Sequence, residues 1–304
     1  MLKLDHEGNT GLTNAAQTKD INEIKSIIND ATRLNILSDL IDKTESEGGR
    51  SALWLASFEG FNEIAQLLLD NKADVNLVAK DGSTPLFVAS QNGHQNVVRT
   101  LLNNKADLKL AAKNGASPLL IASQNGHTDV VQTLINNKAN VNLVEQNEVS
   151  PIYMASKNGH LDVVHILLNN KAEVNRCDKT GCSPLLVASF DGHLDVALTL
   201  LDNNSDVNLN AKNGATPLQM ASQEGYLEVV KCLIDNKAKV DQPNIYGATP
   251  LIVSSTMGHL QIVKTLIKHG ADPKKKFEGK SPIEFARQGR KKDVETYLES
   301  IIEN

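Results

Sequence analysis

Five histidines of this 304-residue chain recur at a regular spacing, and their side chains could bind a metal ion. They recur at intervals of 33 or 66 residues, at His94, His127, His160, His193 and His259. Imidazole is a common zinc ligand, so such a row raises the hypothesis of a metal site. Two ligands of one zinc ion each lie about 2.0–2.1 Å from it, whereas packed helices lie roughly 8–10 Å apart. Histidines one interval apart therefore cannot share an ion.

Two further copies of this position hold Phe61 and Tyr226, and neither is a typical zinc ligand. We therefore interpret the histidines as turn residues whose rings bond to the backbone. Cys177 and Cys182 are separated by four residues, and no second cysteine pair completes a zinc site. The sequence predicts neither a metal site nor a cofactor.

Other catalytic patterns are missing from the sequence. It contains no GxSxG, HExxH, P-loop or GxGxxG motif. Acidic residues recur at Asp162, Asp195 and Glu228, where a carboxylate favours the dipole of a helix that starts there. We predict that the protein is not an enzyme.

The elements that position these residues follow a repeat of 33 residues, marked by proline. The series is Pro85, Pro118, Pro151, Pro184, Pro217 and Pro250, and Pro282 follows after 32 residues. Ser or Thr precedes each proline; a hydroxyl there caps free N–H groups, and proline suits the first helical position. This pattern predicts the start of a short helix in every copy.

A glycine such as Gly93 ends that helix, because glycine takes a positive φ at low cost. A second helix follows, with Val97, Val98, Leu101 and Leu102 on one apolar stripe. Helices of about eight to ten residues are marginal alone. The repeats must therefore stack and bury their stripes against one another, which predicts a solenoid.

The segments STPLFVASQNGHQNVVRTLLNNKADLK (83–109) and ASPLLIASQNGHTDVVQTLINNKANVN (116–142) resemble ankyrin repeats. They match that family at T/S-P-L, at Gly-His, at the Val-Val and Leu-Leu or Leu-Ile pairs and, in the second, at A-x-V-N. The resemblance implies an all-α solenoid of L-shaped units, each with two antiparallel helices and a β-turn finger. We predict about nine repeats in one solenoid, near residues 8–45, 46–78, 79–111, 112–144, 145–177, 178–210, 211–243, 244–275 and 276–304.

Three departures from the family pattern are visible. The histidine after T-P-L is replaced by Trp54, Phe87, Leu120, Tyr153, Leu186, Gln219 and Ile252, and the second alanine of an Ala-Ala pair becomes serine in seven copies from Ser57 to Ser255. The glycine after the second helix is replaced by Lys72, Lys105, Lys138, Lys171, Lys237 and Asn204. A left-handed conformation costs a non-glycine residue about 1 kcal/mol, so we expect these turns to be less stable than usual.

The resemblance implies that finger tips and the exposed side of the first helices form a concave binding surface. At the two positions before the glycine, the candidates are Phe58, Glu59, Gln91, Asn92, Gln124, Asn125, Lys157, Asn158, Phe190, Asp191, Gln223, Glu224 and Met257. At the finger tips they are Lys80, Asp81, Lys113, Asn114, Gln146, Asn147, Lys179, Lys212 and Tyr246. The apolar members are either interface anchors or ordinary exposed side chains, and the sequence favours neither.

Two further features remain open from the sequence. Some ankyrin repeats are hydroxylated at the asparagine that ends A-D-V-N, and the matching positions are Asn76, Asn142, Asn175 and Asn208. Residues 31–49 interrupt the period, either as an elongated finger that contacts a partner or as a tolerated insertion. We favour the insertion.

Composition indicates a globular protein, with 40% hydrophobic and 22% charged residues. Three cysteines form no disulfide framework, and no run of residues is apolar enough to span a membrane. We expect a monomeric cytoplasmic protein without membrane contact; nuclear entry and secretion into a host cell stay open.

Charge is unevenly distributed along the chain, whose net charge is −5. From Lys264 to Lys292 there are ten Lys or Arg and three acidic residues. This basic cap is either a solvated terminal repeat or a contact for nucleic acid or an acidic surface. We prefer the solvated cap, because Phe277 is the one aromatic residue within the lysine-rich stretch 274–280. The principal functional prediction is a module that binds another protein.

Overall fold

The predicted capping pattern starts the first helix of most pairs. Thr84 lies in an extended conformation before Pro85, and its side chain accepts a hydrogen bond from the amide of Phe87. Ser117, Ser150, Ser183, Thr216 and Thr249 cap their helices in the same way. These caps satisfy N–H groups that a helix leaves unpaired at its start.

A computed structural model describes residues 10–302, and the chain divides into two compact units, 1–146 and 147–304. The first two predicted repeat residues, 8 and 9, and the last two, 303 and 304, lie outside the described range. The helices of the first unit are α1 Gly11–Gln17, α2 Ile21–Arg33, α3 Leu37–Leu40, α4 Ala52–Glu59, α5 Asn62–Asp70, α6 Pro85–Gln91, α7 Gln95–Asn103, α8 Pro118–Gln124 and α9 Thr128–Asn136.

The second unit contains ten helices within its described residues. They are α10 Pro151–Lys157, α11 Leu161–Asn169, α12 Pro184–Phe190, α13 Leu194–Asp202, α14 Pro217–Glu224, α15 Leu227–Asp235, α16 Pro250–Met257, α17 Leu260–Lys268, α18 Pro282–Gln288 and α19 Lys292–Ile302. Between residues 10 and 302 the only β pairing is two isolated bridges, at Thr44–Ser51 and Phe277–Lys280.

Helix pairs pack in series within each unit. In the first unit α4 packs on α1 and α6, and α6 packs on α8; in the second, α12 packs on α10 and α14, and α16 on α14 and α18. Leucines such as Leu86 and Leu101 are fully buried between neighbouring pairs. This arrangement confirms the predicted all-α architecture, in which stacking buries stripes that one pair could not bury alone.

The substituted turns adopt the conformation that the sequence predicts. Lys72, Lys105, Lys138, Lys171, Asn204 and Lys237 all have a positive φ, between 66° and 74°. Gly270 takes the same conformation in the copy that keeps the glycine. Each substituted turn therefore carries the conformational cost of a left-handed side chain.

The position after T-P-L connects successive repeats. Trp54 Nε1 donates to Ser83 Oγ at 2.9 Å, and Gln219 Nε2 donates to the carbonyl oxygen of Ala248 at 3.2 Å. Tyr153 Oη donates to Asp178 Oδ2 at 3.2 Å, and burial together with Asp178 raises the pKa of this phenol. These polar substitutes brace the following turn, whereas Ile252 and its apolar equivalents pack there.

Part of the 31–49 insertion folds into an ordered turn around Glu45. This side chain is 5% exposed and accepts hydrogen bonds from Arg50 Nε at 2.8 Å and from the Gly48 amide at 2.7 Å. Burial opposes its ionisation, but the bonds from Arg50 and the backbone amides outweigh burial and lower its pKa to about 2. The carbonyl of Gly48 in turn accepts the amide of Lys80 at 2.8 Å. This portion therefore supplies a first finger for the repeats that follow.

Candidate functional site

The finger tips are the two-residue turns between helix pairs, and backbone hydrogen bonds link them into a row within each unit. In the first unit, the Lys113 amide donates to the Asp81 carbonyl at 3.0 Å, and the Gln146 amide donates to the Asn114 carbonyl at 3.3 Å. In the second unit, the amides of Lys179, Lys212 and Ile245 donate to the carbonyls of Asn147, Thr180 and Asn213 at 2.8 to 3.0 Å. The tips are therefore held in fixed register.

The two side chains of each tip have different tasks. The first residue of each tip has an exposed side chain, and these residues are Lys80, Lys113, Gln146, Lys179, Lys212 and Ile245. The second often closes its own turn: Asp81 Oδ1 accepts the Ser83 amide at 2.9 Å, and Asn114 Oδ1 accepts the Ala116 amide at 3.0 Å. Burial opposes ionisation of Asp81, but the bonds from Ser83 outweigh it and lower its pKa. The predicted site residues Asp81 and Asn114 thus also hold the fold.

The positions before the glycine divide in a similar way. Asn92 Nδ2 donates to the Phe58 carbonyl at 2.8 Å, and Asn125 Nδ2 donates to the Gln91 carbonyl at 2.8 Å. Both bonds join one repeat to the next. These amides have a structural role that the sequence did not reveal. Glu59, Lys157, Asn158, Phe190, Glu224 and Met257 are exposed at these positions, whereas Gln124, Asp191 and Gln223 are half-buried.

The recurring histidines His94, His127, His193 and His259 bond to the backbone, as predicted. Nε2 of His94 and of His127 donates to the carbonyls of Phe58 and Gln91, each at 2.9 Å. His193 and His259 bond in the same way to Lys157 and Gln223, each at 3.0 Å. Within residues 10–302, no group of three or more His, Cys, Asp or Glu side chains could hold a metal ion.

The first unit carries an aromatic pair next to its fingers. Phe58 stacks on Trp54 with ring centroids 5.3 Å apart, and Arg50 Cζ lies 5.6 Å from the Trp54 ring. Trp54 is buried, whereas Phe58 is 39% exposed. Phe58 therefore has an apolar surface available for contact and a rigid partner behind it.

The second unit carries larger exposed apolar surface. Tyr246 is 69% exposed, Met257 47% and Phe190 41%. Ile245, which the sequence prediction did not select, is 65% exposed at the tip beside Tyr246. The finger tip at 245–246 and the end of α16 therefore expose several apolar side chains.

A cleft of about 240 Å³ lies beside the end of α16, and we call it the C-terminal cleft. Its apolar walls are Ala248, Ile252, Val253, Met257, Phe277 and Phe285, and its polar ones are Gln223 and Thr256. Phe277 and Phe285 stack with centroids 5.6 Å apart. Gln223 and Met257 were predicted as site residues, whereas Ile252, Val253 and Phe285 were not, because they resemble framework residues and only the packing of the last helix pair places them at a cleft.

One basic side chain lies against a wall of the C-terminal cleft, and others lie on the neighbouring turn. Lys280 Nζ lies 5.8 Å from the Phe285 ring centroid, and Lys274 and Lys276 are exposed on the turn that carries Phe277. Arg287 is paired instead with Glu295, at 2.6 Å, and with Glu299. The aliphatic part of the Lys291 side chain lies over Gly258. In the preceding repeat, the ring of His259 lies over Gly225 in the same way. The basic cap is thus partly neutralised and partly free to attract an anion.

The candidate hydroxylation sites accept bonds from the next repeat. Asn76 Oδ1 accepts the Asp107 amide at 2.8 Å, Asn208 Oδ1 accepts the Lys239 amide at 2.8 Å, and Asn175 Oδ1 accepts the Asp206 amide at 3.0 Å. The Asn142 amide donates to Asn140 Oδ1 at 3.0 Å. Hydroxylation of these four residues stays a prediction.

Cysteine chemistry has little support from the site geometry. Cys177, Cys182 and Cys232 are free thiols, and burial raises the pKa of each. A raised pKa lowers the fraction of reactive thiolate.

No described helix is long and apolar enough to cross a membrane.

Comparison with known proteins supports the architecture. The family model described as ankyrin repeats (3 copies) matches residues 53–145, 119–211 and 200–277. A comparison with curated proteins returns no match. The three matches together span 53–277, the region that contains helices α5 to α17. This chain belongs to the ankyrin-repeat family.

Proposed function

We propose that this chain is a non-enzymatic module that binds another protein as an adaptor, scaffold or inhibitor. Ankyrin repeats are generally protein–protein interaction modules. The contact face in this proposal consists of the finger tips and the exposed ends of the first helices. The observation that carries it is the row of tips, whose backbones bond to one another while side chains such as Lys113 and Lys212 stay exposed.

Rigidity is the physical advantage of such a face. Association loses free energy when loops and side chains must be ordered, so a preformed row of tips lowers that cost. Phe58, Phe190 and Tyr246 supply exposed aromatic surface, and aromatic residues are frequent hot spots of interfaces. The polar tips of each unit would set register and exclude wrong partners.

Affinity capture from cell lysate tests this function. The bait is the full chain beside a Phe190→Ala, Lys157→Glu, Tyr246→Ala variant, after circular dichroism has shown equal helicity. A Leu198→Ala, Lys239→Glu variant is the matched control, because Leu198 is 40% exposed on the second helix α13 and Lys239 is exposed outside the tips. We expect a protein that the wild type and the control retain and the triple variant loses. Equal retention by all three baits would place the contact elsewhere.

The second candidate function is contact with nucleic acid through the basic cap. Exposed Lys274 and Lys276 favour it. Such binding weakens steeply with salt, because neutralised phosphates release counterions. Binding of a labelled oligonucleotide that falls in this way, and that Lys276→Glu reduces, would support this candidate over the first.

A further inference from the structure

We propose that the C-terminal cleft receives an acidic segment of a partner protein that inserts one large apolar side chain. This inference rests on the proposed protein-binding function and adds to it a location and a ligand chemistry. It concerns residues of the second unit only.

The shape of the cleft favours one side chain over a small molecule. Its volume of about 240 Å³ lies below the roughly 300–1,000 Å³ of typical small-molecule pockets. Ile252 and Val253 line it from one helix, and the stacked rings of Phe277 and Phe285 line it from the next repeat. Walls of this kind favour an aliphatic or aromatic group and offer little to a sugar or a phosphate.

Exposed apolar side chains lie at the edge of the cleft and on the finger tip that precedes α16. Met257 lines the cleft and is 47% exposed, and Tyr246 is exposed on the finger tip before α16. A terminal repeat normally needs a polar outer face, whereas a contiguous apolar patch with a polar rim marks an interaction site. The apolar walls of the cleft, with the exposed Met257 among them, have this second character.

The basic residues near the cleft determine which charge the bound segment should carry. The chain from Lys274 to Lys291 contains seven Lys or Arg and two glutamates, Glu278 and Glu284. Glu284 is already bonded to the amide and hydroxyl of Ser281 in a capping box. Lys280 lies over the Phe285 ring, so its charge is next to the cleft wall. A partner with Asp or Glu beside its apolar side chain would complement this rim.

Nucleic acid fits the same surface less well. A phosphate backbone would use the lysines, but Phe277 and Phe285 stack on each other and leave fewer open ring faces beside the aliphatic walls of the cleft. Bases bind to aromatic faces that are open for stacking. An acidic peptide uses both the lysines and the walls.

Selection of short random peptides displayed on phage, with the full chain as bait, tests the proposal. We expect enriched peptides to hold an excess of Asp and Glu around one Trp, Phe, Leu or Met. Affinities of the synthesised peptides are then measured by fluorescence polarisation. Met257→Glu should weaken them about tenfold, an effect of about 1.4 kcal/mol, because it removes apolar contact and repels the acidic groups. Lys276→Glu should weaken them severalfold and flatten the dependence on salt.

Matched controls separate the cleft from general surface effects. Leu198→Glu places the same charge on an apolar residue of similar exposure outside the cleft, and Lys239→Glu reverses an exposed lysine outside it. Both should bind the peptides as the wild type does. Equal loss with Leu198→Glu and Met257→Glu would overturn the proposal.

Other outcomes distinguish this inference from the function on which it rests. Peptides that tolerate Met257→Glu but require Phe58 or Lys80 would overturn the cleft proposal and leave the protein-binding face in place. A failure to enrich any peptide over a blank surface would count against both. Binding of a labelled oligouridylate that needs Lys276 but not Met257 would replace the acidic segment with nucleic acid.

Discussion

His127 lies directly over Gly93. A Cβ atom added to Gly93 would come 2.6 Å from His127 Nδ1, while Nε2 of the same ring donates to the Gln91 carbonyl at 2.9 Å. Gly93 has φ 76°, so this position combines a left-handed backbone with a side chain from the next repeat. The Gly-His pattern therefore records a contact between repeats as well as a turn.

Gly93→Ala should lower the free energy of unfolding by about 2–3 kcal/mol, because it adds left-handed strain and a close contact that side-chain shifts must relieve. Gly270→Ala is the matched control, since Gly270 has φ 91° and a Cβ atom added there would meet nothing within 4 Å. It should cost only about 1 kcal/mol. Urea unfolding followed by circular dichroism measures both. Equal losses would show that His127 adds nothing.

The left-handed lysines allow the opposite change. Lys105 has φ 67°, so Lys105→Gly should stabilise the chain by up to about 1 kcal/mol. Lys109→Gly, at a residue without a positive φ, should instead destabilise it by about 0.5–1 kcal/mol. Urea midpoints of the two variants are compared with that of the wild type. A loss of stability in Lys105→Gly would contradict the argument.

The lowered pKa of Glu45 predicts that the stability of the fold depends on pH. Its folded pKa of about 2 lies below the ordinary value of 4.5, so its ionised form stabilises the fold above pH 4.5. That contribution is about 3 kcal/mol and disappears as pH falls from 4.5 to 2. Glu45→Gln should therefore be less stable than the wild type near pH 7, and the gap should close in acid. Hydrogen exchange of the Gly48 and Arg50 amides measures it locally. A gap that is constant with pH would contradict the charge-based explanation.

Much of this fold follows from the sequence because each repeated residue has a local task. Thr84 caps a helix, Gly93 turns the chain and Leu101 fills the core, and all three tasks are visible in residue type and spacing. The family match then agrees with the predicted architecture. Partner residues, in contrast, have no fixed spacing.

The candidate site was predicted less completely for the same reason. Asn92 looks like an exposed polar residue until its bond to the Phe58 carbonyl is known. Ile252 and Phe285 look like core residues, and only the packing of the last helix pair leaves them at a cleft. Whether such a residue lines a cleft depends on how closely the neighbouring helix pair packs against it, and the sequence period does not determine that.

The asparagine bonds between repeats lead to a final prediction. Asn76, Asn208 and Asp241 each offer a side-chain oxygen to a backbone amide of the next repeat, and Asp241 Oδ2 accepts the Asp272 amide at 3.0 Å. Lys109 occupies the equivalent position before Asn140, and its ammonium group cannot accept a hydrogen bond. Lys109→Asn should therefore stabilise the first unit by about 1 kcal/mol.

Lys109→Gln is the matched control, because its longer side chain carries an oxygen that cannot occupy the same place. We expect protection of the Asn140 amide from hydrogen exchange to increase in Lys109→Asn but not in Lys109→Gln. Asn208→Asp should keep its bond to the Lys239 amide, while Asn208→Ala should lose about 1 kcal/mol. Equal exchange in both Lys109 variants would show that the repeated oxygen is not what joins these loops.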